Sequence, residues 1–106
     1  MLSINFFENR INIQINVHRG GHVEVTYKGQ SLVIGPRETC FNRIKSIVEE
    51  LQNLGNKEVY FYIQNMTIGD SAFRFDVIYF KEHLSVLKSQ AKCYVEIKTC
   101  LYDTFA

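Results

Sequence analysis

Hydrophobic and polar residues alternate without interruption over 11–17: Ile11, Ile13, Ile15 and Val17 share one side, and Asn12, Gln14 and Asn16 the other. A period of two predicts a β-strand with one buried face. The period resumes at Val23, Val25 and Tyr27, after Arg19-Gly20-Gly21, whose glycines can turn the chain through positive φ. Matching faces selects the register. A two-residue Gly20-Gly21 loop would set Val17 opposite Glu24, whereas a three-residue loop sets Val17 against Val23, Ile15 against Val25 and Ile13 against Tyr27. Because a one-residue slip turns every side chain over, the three-residue loop is expected. Gly29-Gln30 reads as a second tight turn, with Tyr27 beside Leu32 and Val25 beside Ile34, which completes a three-stranded meander over 11–34. A further strand is expected over 2–7.

Gly35-Pro36 ends the meander, and proline suits the first position of a helix. Phe41, Ile44, Ile47, Val48, Leu51 and Leu54 then follow the helical period, with Gly55 as the stop, so a helix is predicted over 37–54. The run VYFYI at 59–63 is apolar on both sides and predicts a central strand covered on both faces. Residues 70–80 admit two readings. Asp70 can cap a helix whose face is Phe73, Val77, Phe80, Leu84 and Leu87, ending near Gln90. Alternatively, Gly69-Asp70 is a hairpin turn and 72–80 a strand before a shorter helix. Alternation from Cys93 to Thr99 closes the chain with a strand through about residue 101.

The predicted order is β-β-β-α-β-α-β. The fold class is α/β, with α+β as the alternative: an N-terminal antiparallel β-meander followed by α-β-α-β, giving a mixed sheet with two helices. The last two strands, joined through a helix, should run parallel by a right-handed crossover. One domain spanning 1–106 is expected at this length.

Composition narrows the function classes. The hydrophobic share of 46% and a single proline exclude a disordered chain. Twelve basic against eleven acidic residues leave a net charge of +1, which generates no field to concentrate nucleic acid or anionic lipid. No apolar run approaches the roughly 18 residues of a membrane span, and the N-terminus does not read as a signal peptide. A cytoplasmic protein with a protein partner is expected, without membrane or nucleic acid.

Cys40, Cys93 and Cys100 lack CxxC spacing and read as structural thiols. His18 and His22 should face each other at the hairpin tip, but a structural zinc site needs about four ligands and no others are placed beside them. They read as surface histidines, as does His83 on the polar flank of the second helix. No nucleophile framing or phosphate loop is present, so neither an enzyme nor a cofactor or metal is expected.

Asp70-Ser71 stands at the predicted start of the second helix, where unpaired N–H groups and the positive dipole end would hold a phosphate. Capping alone also accounts for the pair. From Val59 to Lys98 the order of strand, short loop, Asp-Ser, amphipathic helix and strand resembles the STAS domain of anti-sigma-factor antagonists. The chain departs from that pattern at Ala72-Phe73, where the family carries small residues, and only 101–106 follow the last strand, where the family carries a helix. The resemblance implies a non-enzymatic regulatory module that binds another protein, with Ser71 as phosphoacceptor. Its partner surface would be the loop containing Gln64, Asn65, Thr67, Asp70 and Ser71. The alternative is a small interaction or inhibitor protein of mobile-element or phage type, acting through a sheet edge or a homodimer interface. Tyr60 and Tyr62, alternating with Phe61, favour a face that a partner covers.

Overall fold

The computed structural model describes residues 8–18, 21–65 and 73–100. The strand expected over 2–7 lies outside them, as do Thr67, Asp70 and Ser71. Strands β1 (Arg10–Val17), β2 (Val23–Tyr27) and β3 (Gln30–Gly35) precede helix α1 (Arg37–Gln52); β4 (Glu58–Asn65), helix α2 (Phe73–Gln90) and β5 (Tyr94–Cys100) follow. The five strands form one mixed sheet in the order β3-β2-β1-β4-β5. The β1-β2 and β2-β3 pairs are antiparallel, and β1-β4 and β4-β5 are parallel. This is the α/β arrangement expected from the hydrophobic pattern, with the meander at one side and the parallel strands at the other.

The first hairpin has the register chosen by face matching: Val17 pairs with Val23, Ile15 with Val25 and Ile13 with Tyr27. The second hairpin differs. Its turn is Lys28-Gly29, with φ of 52 and 78, and Tyr27 pairs with Gln30. Positive φ at both central residues gives the twist that adjoining strands prefer. The register then shifts between Val25 and Thr26, so Val25 faces Val33 and Ile34 faces Glu24. This bulge lets the consecutive Leu32 and Val33 both pack on the core, and it leaves Ile34 59% exposed. A side chain built on Gly29 meets nothing within 4 Å. Gly29→Ala is therefore expected to cost about 1 kcal/mol, as pure backbone strain. Chemical denaturation measures it, and a cost near zero would place the turn elsewhere.

Both helices lie on one side of the sheet. They bury Ile11, Ile13, Ile15, Val59, Phe61 and Ile63, all at 0% exposure. Cys40, Ile44, Ile47, Val48 and Leu51 of α1 and Val77, Phe80 and Leu84 of α2 complete this core. The helices also touch each other through an edge-to-face contact of Phe41 on Tyr79, with centroids 6.2 Å apart. Helix α1 ends two residues before the expected boundary. Pro36 occupies its N-cap rather than its first turn, and Leu54 is exposed beyond its end. Helix α2 is continuous from Phe73, which rules out the strand reading of 73–80. One expectation fails outright: β4 is central, but among the described residues only one of its faces is covered. Tyr60 and Tyr62 are half-buried on the other.

Candidate functional site

The uncovered face is built by the even-numbered positions of β1, β4 and β5, because a strand presents alternate side chains to opposite sides. The register lays them out as a grid. Asn12 stands beside Tyr60, Gln14 beside Tyr62, Asn16 beside Gln64 and Arg10 beside Glu58. On the next strand Glu96 adjoins Tyr60, Lys98 adjoins Tyr62 and Tyr94 adjoins Glu58. On the opposite flank Thr26 adjoins Gln14, and its hydroxyl donates to Gln14 Oε1 at 3.2 Å.

Arg10 organises one end of this grid. Its guanidinium lies 3.9 Å from the centroid of the Tyr60 ring, a cation–π geometry, and Nη2 donates to the Tyr62 hydroxyl at 3.4 Å. The bond to Tyr62, with the nearby Tyr60, Tyr62 and Glu58 electrons, holds the guanidinium pKa above its ordinary value. The Tyr62 hydroxyl donates to Asn12 Oδ1 at 3.4 Å, and the Tyr60 hydroxyl to Glu58 Oε1 at 3.0 Å. The latter bond raises the Tyr60 pKa. Tyr60 and Tyr94 meet as tilted rings with centroids 5.9 Å apart. At the turn, Lys28 forms an ion pair with Glu8. Between these groups lies an open depression of about 370 Å³, lined by Arg10, Asn12, Gln14, Lys28, Tyr62 and Gln64 among others.

The Tyr94 hydroxyl donates to Glu96 Oε2 at 2.5 Å. This bond, aided by nearby carboxylate charge, pushes the phenol from 10.0 to about 12. The same bond, helped by Lys88, holds the Glu96 carboxyl below its ordinary value. The stabilisation tied to Tyr94 is thus present below pH 10 and lost as pH rises towards about 12. That tied to Glu96 is present above the ordinary carboxylate range and lost as pH falls through the lowered folded value. Tyr94→Phe is expected to raise the Glu96 pKa back towards an ordinary carboxylate and to remove the late-titrating phenolate. Carboxyl NMR and near-ultraviolet titrations check both, and an unmoved Glu96 would refute the pairing.

Of the residues singled out from sequence, Gln64 sits on this face beside Asn16. Asn65 ends β4, and the residues beyond it, with Thr67, Asp70 and Ser71, lie outside the described residues. Asn16 is 7% exposed, and its Oδ1 has no hydrogen-bond partner among the described residues. Sequence reasoning missed Arg10, Asn12, Gln14 and Tyr94 as a site. The available signal was amide residues at three of the four polar positions of β1, Asn12, Gln14 and Asn16, where an ordinary exposed strand face carries charges.

The histidines at the hairpin tip do meet: the His18 and His22 rings stack at 5.0 Å, 8° from parallel, and His18 Nε2 lies 3.8 Å from Glu24 Oε1. No group of three or more metal-ligating side chains converges among the described residues. His83 is not a free surface residue as expected. It is half-buried between the helices, stacked on Tyr79 at 3.8 Å and edge-on to Phe41 at 5.2 Å. Cys40 is fully buried, its thiol 3.3 Å from the Val23 carbonyl, and burial pushes its pKa to about 11. Among the described residues no helix is long and apolar enough to cross a membrane.

Chemically, the open face offers both donors and acceptors around a shallow, solvent-open depression, with tyrosine rings beside them. It suits another folded surface better than a small molecule enclosed on all sides. Comparison with protein-family models, with curated proteins and with solved structures returned no match.

Proposed function

We propose that this chain is a non-enzymatic, protein-binding regulatory module whose partner docks on the open face of the sheet. The observation that carries the reading is the uncovered face itself, where Tyr60, Tyr62 and Tyr94 stand among amides and an arginine on a central and an edge strand. Tyrosine and arginine are enriched where interfaces concentrate their binding energy. These rings also lose little conformational entropy on docking, because the hydroxyls of Tyr60, Tyr62 and Tyr94 are already bonded to Glu58, Asn12 and Glu96.

In this reading the surface continues from Gln64 into the segment over 66–71, and Ser71 is a phosphoacceptor that switches it. Ser71 comes two residues before α2, whose first-turn N–H groups and dipole favour added negative charge. Helical structure from Phe73 onwards supports the STAS-like reading, because that family places its switch residue where a strand-loop unit enters a helix. Intact-mass measurement on protein from the native host, with and without phosphatase, tests the modification. Partner binding by Tyr62→Ala and Ser71→Asp tests the surface and the switch separately. Unchanged binding by Tyr62→Ala would sink the face, and an unmodified Ser71 with unchanged binding by Ser71→Asp would sink the switch.

A further inference from the structure

We propose that the occupant of the open face is a second copy of this chain, related by a two-fold axis that runs along the strands between β1 and β4. The inference rests on the protein-binding reading above and names its partner. A two-fold rotation about such an axis exchanges the columns of the grid while keeping its rows. The second copy's β4 then lies over β1, and its β5 lies over β2.

That exchange makes the face complementary to itself at four of its charges. Arg10 comes over Glu58 of the second copy, and Glu58 over its Arg10, since the two occupy one row of the β1-β4 register. Further out, Lys28 of the β2 turn comes over Glu96 of the second copy, the residue that shares a row with Tyr60. Between the charges, Asn12 meets Tyr60 and Gln14 meets Tyr62, amide against phenol. An axis across the strands would instead put Arg10 over Asn16 and Glu58 over Gln64, leaving both of these charges without a counter-charge. Sheets stacked face to face keep their strands within about 30° of each other, which preserves the contacts nearest the axis best. The Arg10–Glu58 pair is therefore the principal contact. Lys28 already pairs with Glu8 in its own chain and contributes less.

Charge also argues against a partner of a single sign. Arg10, Lys28 and Lys98 are interspersed with Glu58, Glu96 and Glu24 on this face, so neither an acidic nor a basic surface is selected. A surface of mixed charge is selected, and the chain itself supplies one that matches Arg10, Glu58, Lys28 and Glu96, while Lys98 comes over Thr26.

Sedimentation or light scattering on the whole chain tests this with Arg10→Glu, Glu58→Arg and their equimolar mixture. Each variant alone sets like charges across the two-fold axis and should weaken dimerisation at least about tenfold. The mixture should recover the dimer, because Arg10→Glu on one copy meets Glu58→Arg on the other and the remaining pair is arginine against glutamate. Rearrangement within one chain cannot produce that rescue. Circular dichroism establishes that each variant is folded. Should either fail to fold, Lys28→Glu mixed with Glu96→Lys makes the same test at the outer contact. A wild-type chain that stays monomeric at all attainable concentrations overturns the proposal, as do variants that dimerise like wild type or a mixture that stays monomeric. A monomer whose binding to a different protein is lost in Tyr62→Ala would overturn the second-copy inference and leave the protein-binding reading intact. Loss of neither would overturn both.

Discussion

Phe61→Ala should lower the free energy of unfolding by about 3–5 kcal/mol, whereas Tyr62→Ala, the next residue along β4, should cost about 1 kcal/mol. The difference follows from the single covered face. Phe61 is fully buried beneath the helices, so truncation forfeits its transfer free energy and opens a cavity in a close-packed interior. The Tyr62 ring lies on the open side, where its bonds to Arg10 and Asn12 are both 3.4 Å long and water replaces what is removed. Since a domain of this size is stable by roughly 5–15 kcal/mol in total, the first variant should lose a large part of its cooperative transition and the second little. Urea denaturation followed by circular dichroism, at concentrations low enough to keep the chain monomeric, gives both numbers. Equal losses would mean that Tyr62 is as deeply packed as Phe61 and that the open face is not open.

The pair also shows what the residues did and did not disclose. Local alternation with a face-matching constraint was enough for β1 and β2, because only one register puts all of Ile13, Ile15 and Val17 against apolar partners. It was insufficient for β3. There a bulge, which has no signature in the period of two, lets Leu32 and Val33 share the core and turns Ile34 outwards. In VYFYI the tyrosines scored as apolar and implied two covered faces, but a phenol tolerates both environments, with its ring against neighbours and its hydroxyl in water. Helix α2 was ambiguous at its start because Phe73, Phe75, Val77 and Phe80 satisfy both a period of two and parts of a period of 3.6. The ladder continuing to Leu84 decides for the helix, since its buried members Val77, Phe80 and Leu84 all face the sheet. The open face depends on pairing between β1 and β4, strands far apart in sequence whose parallel register no local pattern specifies. Arg10 therefore could not be placed beside Tyr60 until the sheet order was known.

Arg37→Ala should destabilise the fold by about 2 kcal/mol, the second largest effect expected of a single substitution here. Arg37 opens α1, and its Nη1 donates to Asp76 Oδ1 in the first turn of α2 at 3.3 Å. Its guanidinium also lies 5.0 Å from the centroid of the Tyr79 ring. Asp76 is 8% exposed, so removing the arginine leaves a carboxylate largely withdrawn from water and without this counter-charge. The arginine itself is partly solvated, which keeps the cost below that of a fully buried pair. Asp76→Ala in the same chain should then recover part of the loss, because the stranded charge goes with it. A double-mutant cycle is expected to give a coupling of about 1 kcal/mol between the two positions. Additive losses would show that Arg37 acts through its other contacts, the Tyr79 ring and the Glu38 carboxylate, and not through Asp76. The pair ties the start of α2 to the start of α1. Its loss should therefore speed amide hydrogen exchange over the first turn of α2 more than over Leu84 and the turns beyond, and uniform exchange along the helix would contradict that anchoring.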